Sequence, residues 1–166
     1  MTDSQASTSQ TAFDEWPLEL RTLFDGTLSA APDGFTASLH GVDDAGRVRT
    51  ALLSAGELLA PGARTLCFAL WPTSRTAHAI AERGRATLSF VADECFYQVQ
   101  LSTRRVMMDG VPVACFVGTI ESGEAQRVGY ARLTSGIRFE LVDEPDVLAR
   151  WRDQIEWLRQ AARAAA

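Results

Sequence analysis

Ser74-Arg75-Thr76 sets two hydroxyls and a guanidinium side by side where the apolar run RTLCFAL (64–70) breaks at Trp71-Pro72 and an amphipathic stretch begins. If that stretch is a helix, its first turn offers unpaired N–H groups and a partial positive charge. Hydroxyls and an arginine added to such a terminus make an anion site, and phosphate is its commonest guest. The same residues also read as a plain helix start, with Thr73 or Ser74 capping and Arg75 in solvent. This stretch alone leaves both readings open.

Other polar groups fall on apolar, strand-like runs. Arg49 and Ser54 flank TALL, and Gln98 and Gln100 alternate with Tyr97, Val99 and Leu101. Such a set lacks acid–base groups. It suits a ligand with one phosphate and a flat ring that forms hydrogen bonds. The two histidines, His40 and His78, stand apart from any cysteine or carboxylate at ligand spacing and read as structural or solvated. Cys67, Cys95 and Cys115 lack metal-like spacing and read as reduced core residues, so no metal site is expected. The sequence holds no G-x-S-x-G elbow, P-loop or G-x-G-x-x-G, and DDAG (43–46) lacks the further acids of a calcium loop.

The elements that must carry these residues can be read from hydrophobic period. Residues 1–12 are polar without apolar period and read as a disordered tail, leaving 13–166 as a single domain. Leu20, Leu23, Phe24 and Leu28 recur at helical spacing, which predicts a helix over about 17–30. Alternation on both sides of DDAG predicts a hairpin over 35–53. GELLAPGA (56–63) reads as a loop or one helical turn, and the run after Arg64 as a central strand. A short helix follows Ser74, with Ala77, Ile80 and Ala81 as its buried stripe. Further strands are expected at RATLSFVA (85–92), CFYQVQLSTRRVMM (95–108), VPVACFVGTI (111–120) and GIRFELV (136–142), with a loop or short helix over 121–135. The chain closes in a helix, capped by Asp143 or Asp146, whose face is Leu148, Trp151, Ile155, Leu158 and Ala162. About seven strands and three helices in hairpin order do not make a βαβ alternation. A mainly β fold fits, a small closed or half-closed antiparallel barrel with peripheral helices.

Composition bounds the function. The net charge is −5, and all sixteen basic residues are arginines, dispersed along the chain. That argues against a nucleic-acid module, which would show a basic stripe. No apolar run reaches the length of a membrane span, so no membrane partner is expected. The first residues carry neither a basic nor an apolar signal region, which implies a cytoplasmic protein.

The order of these residues resembles the pyridoxamine 5′-phosphate oxidase-like family, the FMN-binding split barrels. That family carries R-x-x-L-L-K on a strand, F-Y-T-N-x-x-S-R-K at a strand end, R-x-x-L on the next strand, and a glutamine on the strand after it. Here RTALLS (49–54), FALWPTSRT (68–76), RATL (85–88) and Gln98 stand in that order, over roughly residues 34–101. The resemblance implies a split β-barrel of antiparallel, Greek-key type and a homodimer with FMN at the subunit interface. It implies an oxidoreductase acting on a small-molecule substrate. By the same resemblance Ser74, Arg75 and Thr76 would hold the FMN phosphate. Arg49, Thr50, Ala51 and Leu52 would meet the isoalloxazine ring, chiefly through backbone groups. Ala69, Leu70 and Trp71 would line the site, and Gln98 would contact the ring or ribityl chain, from the same or the partner subunit. Thr76 and Ser54 stand where the family has lysines, and Ala69-Leu70 where it has Tyr-Thr. Trp71 would stack on the ring or plug the barrel mouth. The C-terminal Trp and Arg motif of the true pyridoxamine phosphate oxidases is absent, so that substrate is not expected. Relatives in this barrel also use deazaflavin F420 or haem, and a cofactor-free binding dimer is the remaining alternative.

Overall fold

The computed structural model describes residues 8–29, 31 and 33–166. Eight strands of these residues form one antiparallel sheet: β1 (Ser9–Phe13), β2 (Ala37–Val42), β3 (Val48–Leu53), β4 (Leu58–Gly62), β5 (Thr65–Leu70), β6 (Arg85–Ala92), β7 (Cys95–Val106) and β8 (Ala114–Arg127). Their order is β3-β2-β6-β7-β8-β5-β4, with β1 added along β8. The strands β6, β7 and β8 form a meander, and β5 lies beside β8 although its chain runs on to β6. That is a Greek key, and the sheet curls into a half-barrel. Among the described residues three helices accompany it: α1 (Leu18–Leu23), α2 (Arg75–Arg83) and α3 (Glu144–Ala165).

Alternation decides which side chains fill the barrel. On β7, Tyr97, Val99 and Leu101 are buried while Gln98 and Gln100 lie on the other face, as the pattern predicts. The interior is aromatic at one end. Phe90 stacks on Tyr97 at 5.1 Å and meets the edge of Phe24 at 5.3 Å. Burying side chains of this size contributes roughly 1.5–3 kcal/mol each. Trp16 ties α1 to the barrel through its indole N–H, which donates to the Thr65 carbonyl at 3.0 Å.

The β2–β3 turn is held by one side chain. Asp43 Oδ1 accepts from the N–H groups of Ala45 (3.0 Å) and Arg47 (2.9 Å). The α2 helix begins at Ser74, whose Oγ accepts from the Ala77 N–H at 3.1 Å, and ends at Gly84 with φ +65°. On α3, Ile155, Leu158 and Ala161 cover Leu59, Cys67, Ala69 and Cys115 on the outer face of β4, β5 and β8. The helix also rides close over the 3-10 turn Ala55–Glu57. A Cβ at Gly56 would lie 2.0 Å from the Trp151 ring, so only glycine fits there.

Several expectations change. Residues 9–12 of the expected tail form β1, because β8 runs past the barrel and offers a free edge; residues 1–7 lie outside the described residues. The helix expected to about residue 30 stops after Leu23, and the chain turns at Gly26 (φ +85°). The expected loop at 56–63 holds β4. The expected loop at 121–135 begins as the second half of β8, a single strand of 14 residues. Polar on both faces there, ESGEAQR shows no apolar alternation, and its pairing comes from β1 and β7. GIRFELV makes one isolated bridge, Phe35 with Arg138, rather than a strand. The buried positions of α2 are Thr76, Ala77, Ala79 and Ile80, and Ala81 is exposed.

Candidate functional site

The hairpin turn and the start of α2 meet along one cleft. Arg49, Ser74 and Arg75 line this cleft of about 350 Å³, together with Asp43, Asp44, His78 and Glu82. The α2 terminus supplies donors of two kinds. The Ala77 N–H goes to Ser74 Oγ and the His78 N–H to the Ser74 carbonyl, leaving the N–H groups of Arg75 and Thr76 without an acceptor in the helix. Because Ser74 Oγ accepts in its cap bond, its own hydroxyl hydrogen stays free to donate. Arg75 is exposed at the rim.

Arg49 is already engaged. Its Nε and one terminal nitrogen each lie 2.8 Å from Asp43 Oδ2. The Asp43 carboxyl is held below its ordinary range, first by the Arg47 N–H, then by Arg49 and the Ala45 N–H, against the opposing effect of partial burial. The cleft thus holds two guanidiniums against three carboxylates, Asp43, Asp44 and Glu82. A phosphate fits the donor geometry, and the surrounding carboxylates work against it.

The remaining expected residues are dispersed. Thr76 is 5% exposed, on the helix face that packs against the sheet, and does not line the cleft. Ala69 and Leu70 are buried, Ala69 under α3 and Leu70 in the barrel, so only their backbone could meet a ligand. Trp71 is 58% exposed and does not plug the barrel. Ala51 packs against the interior, while Thr50 and Leu52 point outward. Gln98 lies in the cross-strand row Leu52–Ser38–Ser89–Gln98–Glu124 on the sheet's outer face. Three strand spacings, about 14 Å, separate it from β3.

That outer face carries groups the sequence reading passed over. His40 sits between two hydroxyls, with Nδ1 3.0 Å from Thr50 Oγ1 and Nε2 3.2 Å from Ser89 Oγ. A neutral ring satisfies both when one nitrogen donates and the other accepts. The row Thr50–His40–Thr87–Gln100–Ser122 crosses five strands. Strict alternation on β2 and β6 was the available signal, since it puts His40, Thr87 and Ser89 on the side opposite Leu39 and Leu88. Among the described residues no three metal-ligating side chains cluster, and no helix is long and apolar enough to cross a membrane.

No family model matches the chain. It is 27% identical over 146 residues to the uncharacterized protein YclD of Bacillus subtilis (strain 168), covering 83% of this chain and 92% of that one. Two solved structures share its fold. One is a single-substitution variant of HupZ from Group A Streptococcus, with TM-score 0.53, 15% identity, and coverage of 66% of this chain and 98% of that one. The other is a candidate pyridoxamine 5′-phosphate oxidase from Lactobacillus delbrueckii, with TM-score 0.52, 13% identity, and coverage of 67% and 94%.

Proposed function

From the fold, which is the split barrel of the pyridoxamine 5′-phosphate oxidase-like proteins, we propose that this chain binds FMN and passes electrons between it and a small molecule. The observation that carries the reading is the cleft in which the α2 terminus, Ser74 and Arg75 face Arg49 of β3. The N–H groups of Arg75 and Thr76 and the Ser74 hydroxyl supply directional hydrogen bonds to a phosphate, and Arg75 supplies the charge. Bound FMN would supply the redox chemistry, while the chain orients it and sets its electrostatic surroundings. The exposed strand face with Thr50 and Leu52 is open to a flat ring. Gln98, too far along the sheet to share one contact with β3, would reach the ring from a second copy of the chain.

The test is a titration of FMN and of riboflavin into wild type and Arg75→Ala. The wild type should prefer FMN, and the substitution should remove most of that preference. A charge-assisted hydrogen bond of roughly 1.5–3 kcal/mol corresponds to about tenfold or more in affinity. An undiminished preference in Arg75→Ala moves the phosphate elsewhere and leaves this terminus a helix cap.

The acidic lining of the cleft and the hold of Asp43 on Arg49 favour a second reading, a barrel that works without a cofactor. Colour separates the two: a purified protein with flavin absorption, or one that takes up added FMN, supports the first. A colourless protein that ignores FMN supports the second.

A further inference from the structure

We propose a second, distinct anion site: a groove of about 620 Å³ on the outer sheet face that receives the phosphate or carboxylate group of a small molecule through Arg83, Arg85 and Gln100, with His40 at its side. The proposal does not rest on the flavin reading.

The groove is formed by a chain reversal. Arg83 ends α2, Arg85 opens β6, and Gly84 between them adopts φ +65°. The two guanidiniums therefore line one depression, although they belong to different elements. Like charges brought together in this way repel unless something negative lies between them. Among the described residues the Arg85 guanidinium makes no ion pair and no hydrogen bond, and that of Arg83 makes one hydrogen bond, to the Asp43 carbonyl at 3.2 Å. Among the described residues the groove has one carboxylate, Glu121, and it pairs with neither arginine. Two cations against one anion is the reverse of the balance at the α2 terminus.

Gln100 completes the donor set. Its Oε1 accepts from Thr87 Oγ1 at 2.7 Å, which fixes the amide so that its NH₂ group is free to donate. His40, anchored by Thr50 and Ser89, and Ser122 line the same depression. Planar guanidiniums and an amide NH₂ lining one groove are the donors that grip phosphate or carboxylate.

The chain carries its own reporters. It has two histidines, and each lines a different cleft: His40 this groove, His78 the one at the α2 terminus. The experiment follows both imidazole resonances by NMR at fixed pH and ionic strength, while sodium phosphate, sodium acetate and FMN are added in turn. It uses wild type, Arg85→Gln, Arg83→Gln and Arg75→Gln. Phosphate or acetate should shift His40 saturably, and whichever saturates at lower concentration names the anionic group. Arg85→Gln and Arg83→Gln should each weaken that response about tenfold, and Arg75→Gln should leave it intact. FMN should shift His78, and any effect of its ring on His40 through Thr50 should not depend on Arg83 or Arg85. The proposal is overturned if neither anion shifts His40 saturably, or if the response survives Arg85→Gln unchanged. It is also overturned if FMN acts at His40 with the same arginine dependence, because the groove is then the flavin phosphate site. Failure of FMN to shift His78, with the anion response at His40 intact, removes the flavin reading and leaves this one standing.

Discussion

Asp43 has two tasks, and they conflict. It closes the hairpin turn by accepting from the backbone of Ala45 and Arg47, and it holds Arg49, which would otherwise be free to face the α2 terminus. Asp43→Asn keeps one acceptor for the turn and removes one negative charge from the cleft. FMN affinity should rise about fivefold, the scale of one screened charge at a few ångströms; an unchanged or lower affinity in a titration would show that Arg49 contributes nothing to the phosphate. The pH dependence has a definite sign. The folded carboxyl of Asp43 is held low, so its contribution to stability is present above the ordinary carboxylate range and is lost as pH falls through the depressed value. Glu57 goes the other way. Burial raises its pKa against the bonds it accepts from the Ser54 N–H (2.7 Å) and hydroxyl (2.9 Å). A raised carboxyl favours the fold while protonated, and that contribution is lost as pH rises through its folded value. Glu57→Gln removes this ionisation, so urea midpoints measured across the mildly acidic range should lose that decline. Both histidines looked inert in the sequence because a ring's surroundings depend on strands far away in the chain, such as β6 for His40.

The α2 helix was legible from end to end, and for a physical reason. Ser74 at its start and Gly84 at its close are local signals that need no tertiary partner. Ser74→Ala should cost about 1 kcal/mol in a denaturation experiment, and it should also weaken FMN, because the cap and the phosphate donor are the same hydroxyl. Loss of stability without loss of FMN affinity would assign Ser74 to the cap alone. The hairpin was equally legible. What local signals could not give was the second half of β8, β1 and β4. These strands owe their pairing to neighbours rather than to their own pattern. Thr76 shows the same limit at the site. The motif places it beside Arg75, while the helix turns it onto the packed face.

For the molecule as a whole, α3 changes the case for a dimer. Its apolar face, which either a partner or the chain's own barrel could have covered, packs on the chain's own β4, β5 and β8. An uncovered apolar patch lies on the hairpin instead. Val42 is 44% exposed, Val48 64% and Leu52 56%, on the side that carries Thr50 and His40. A homodimer through Val48 and Leu52 at the β3 edge, beside the Arg83–Arg85 groove rather than over it, is the expected state, and Leu52→Glu should split it. Light scattering that shows a monomer at micromolar concentration in the wild type would defeat this. The antiparallel half-barrel was legible because hairpin order leaves few architectures open, whereas its Greek-key order came with the family resemblance. The division of its outside into a face under α3 and a polar face was not, since it depends on which strands α3 crosses: it lies on β4, β5 and one end of β8, while β3, β2, β6 and β7 carry the polar rows. At the docking line, Gly56→Ala would force the 3-10 turn away from Trp151. It should cost about 1–3 kcal/mol, measured as a shift in the urea midpoint.

The two thiols beneath α3 make that helix's attachment measurable in the unmodified protein. Burial pushes Cys67 up to about 12, with Cys115 adding to it, and pushes Cys115 up to about 11. Docked, neither can form a thiolate or meet a reagent near neutral pH; undocked, each returns toward the ordinary value near 8.5. A thiol-labelling reaction is therefore a clock whose ticks are openings of the helix, as amide exchange is for a backbone. Cys67 and Cys115 should label together. Leu158→Ala, at a cost of roughly 2 kcal/mol or more if the helix opens by itself, should speed both about thirtyfold. Cys95 donates to the Gln126 carbonyl at the other end of the sheet, and it should keep its own time. If Cys67 and Cys115 run at unrelated rates, α3 does not lift as one body, and the barrel beneath it breathes strand by strand.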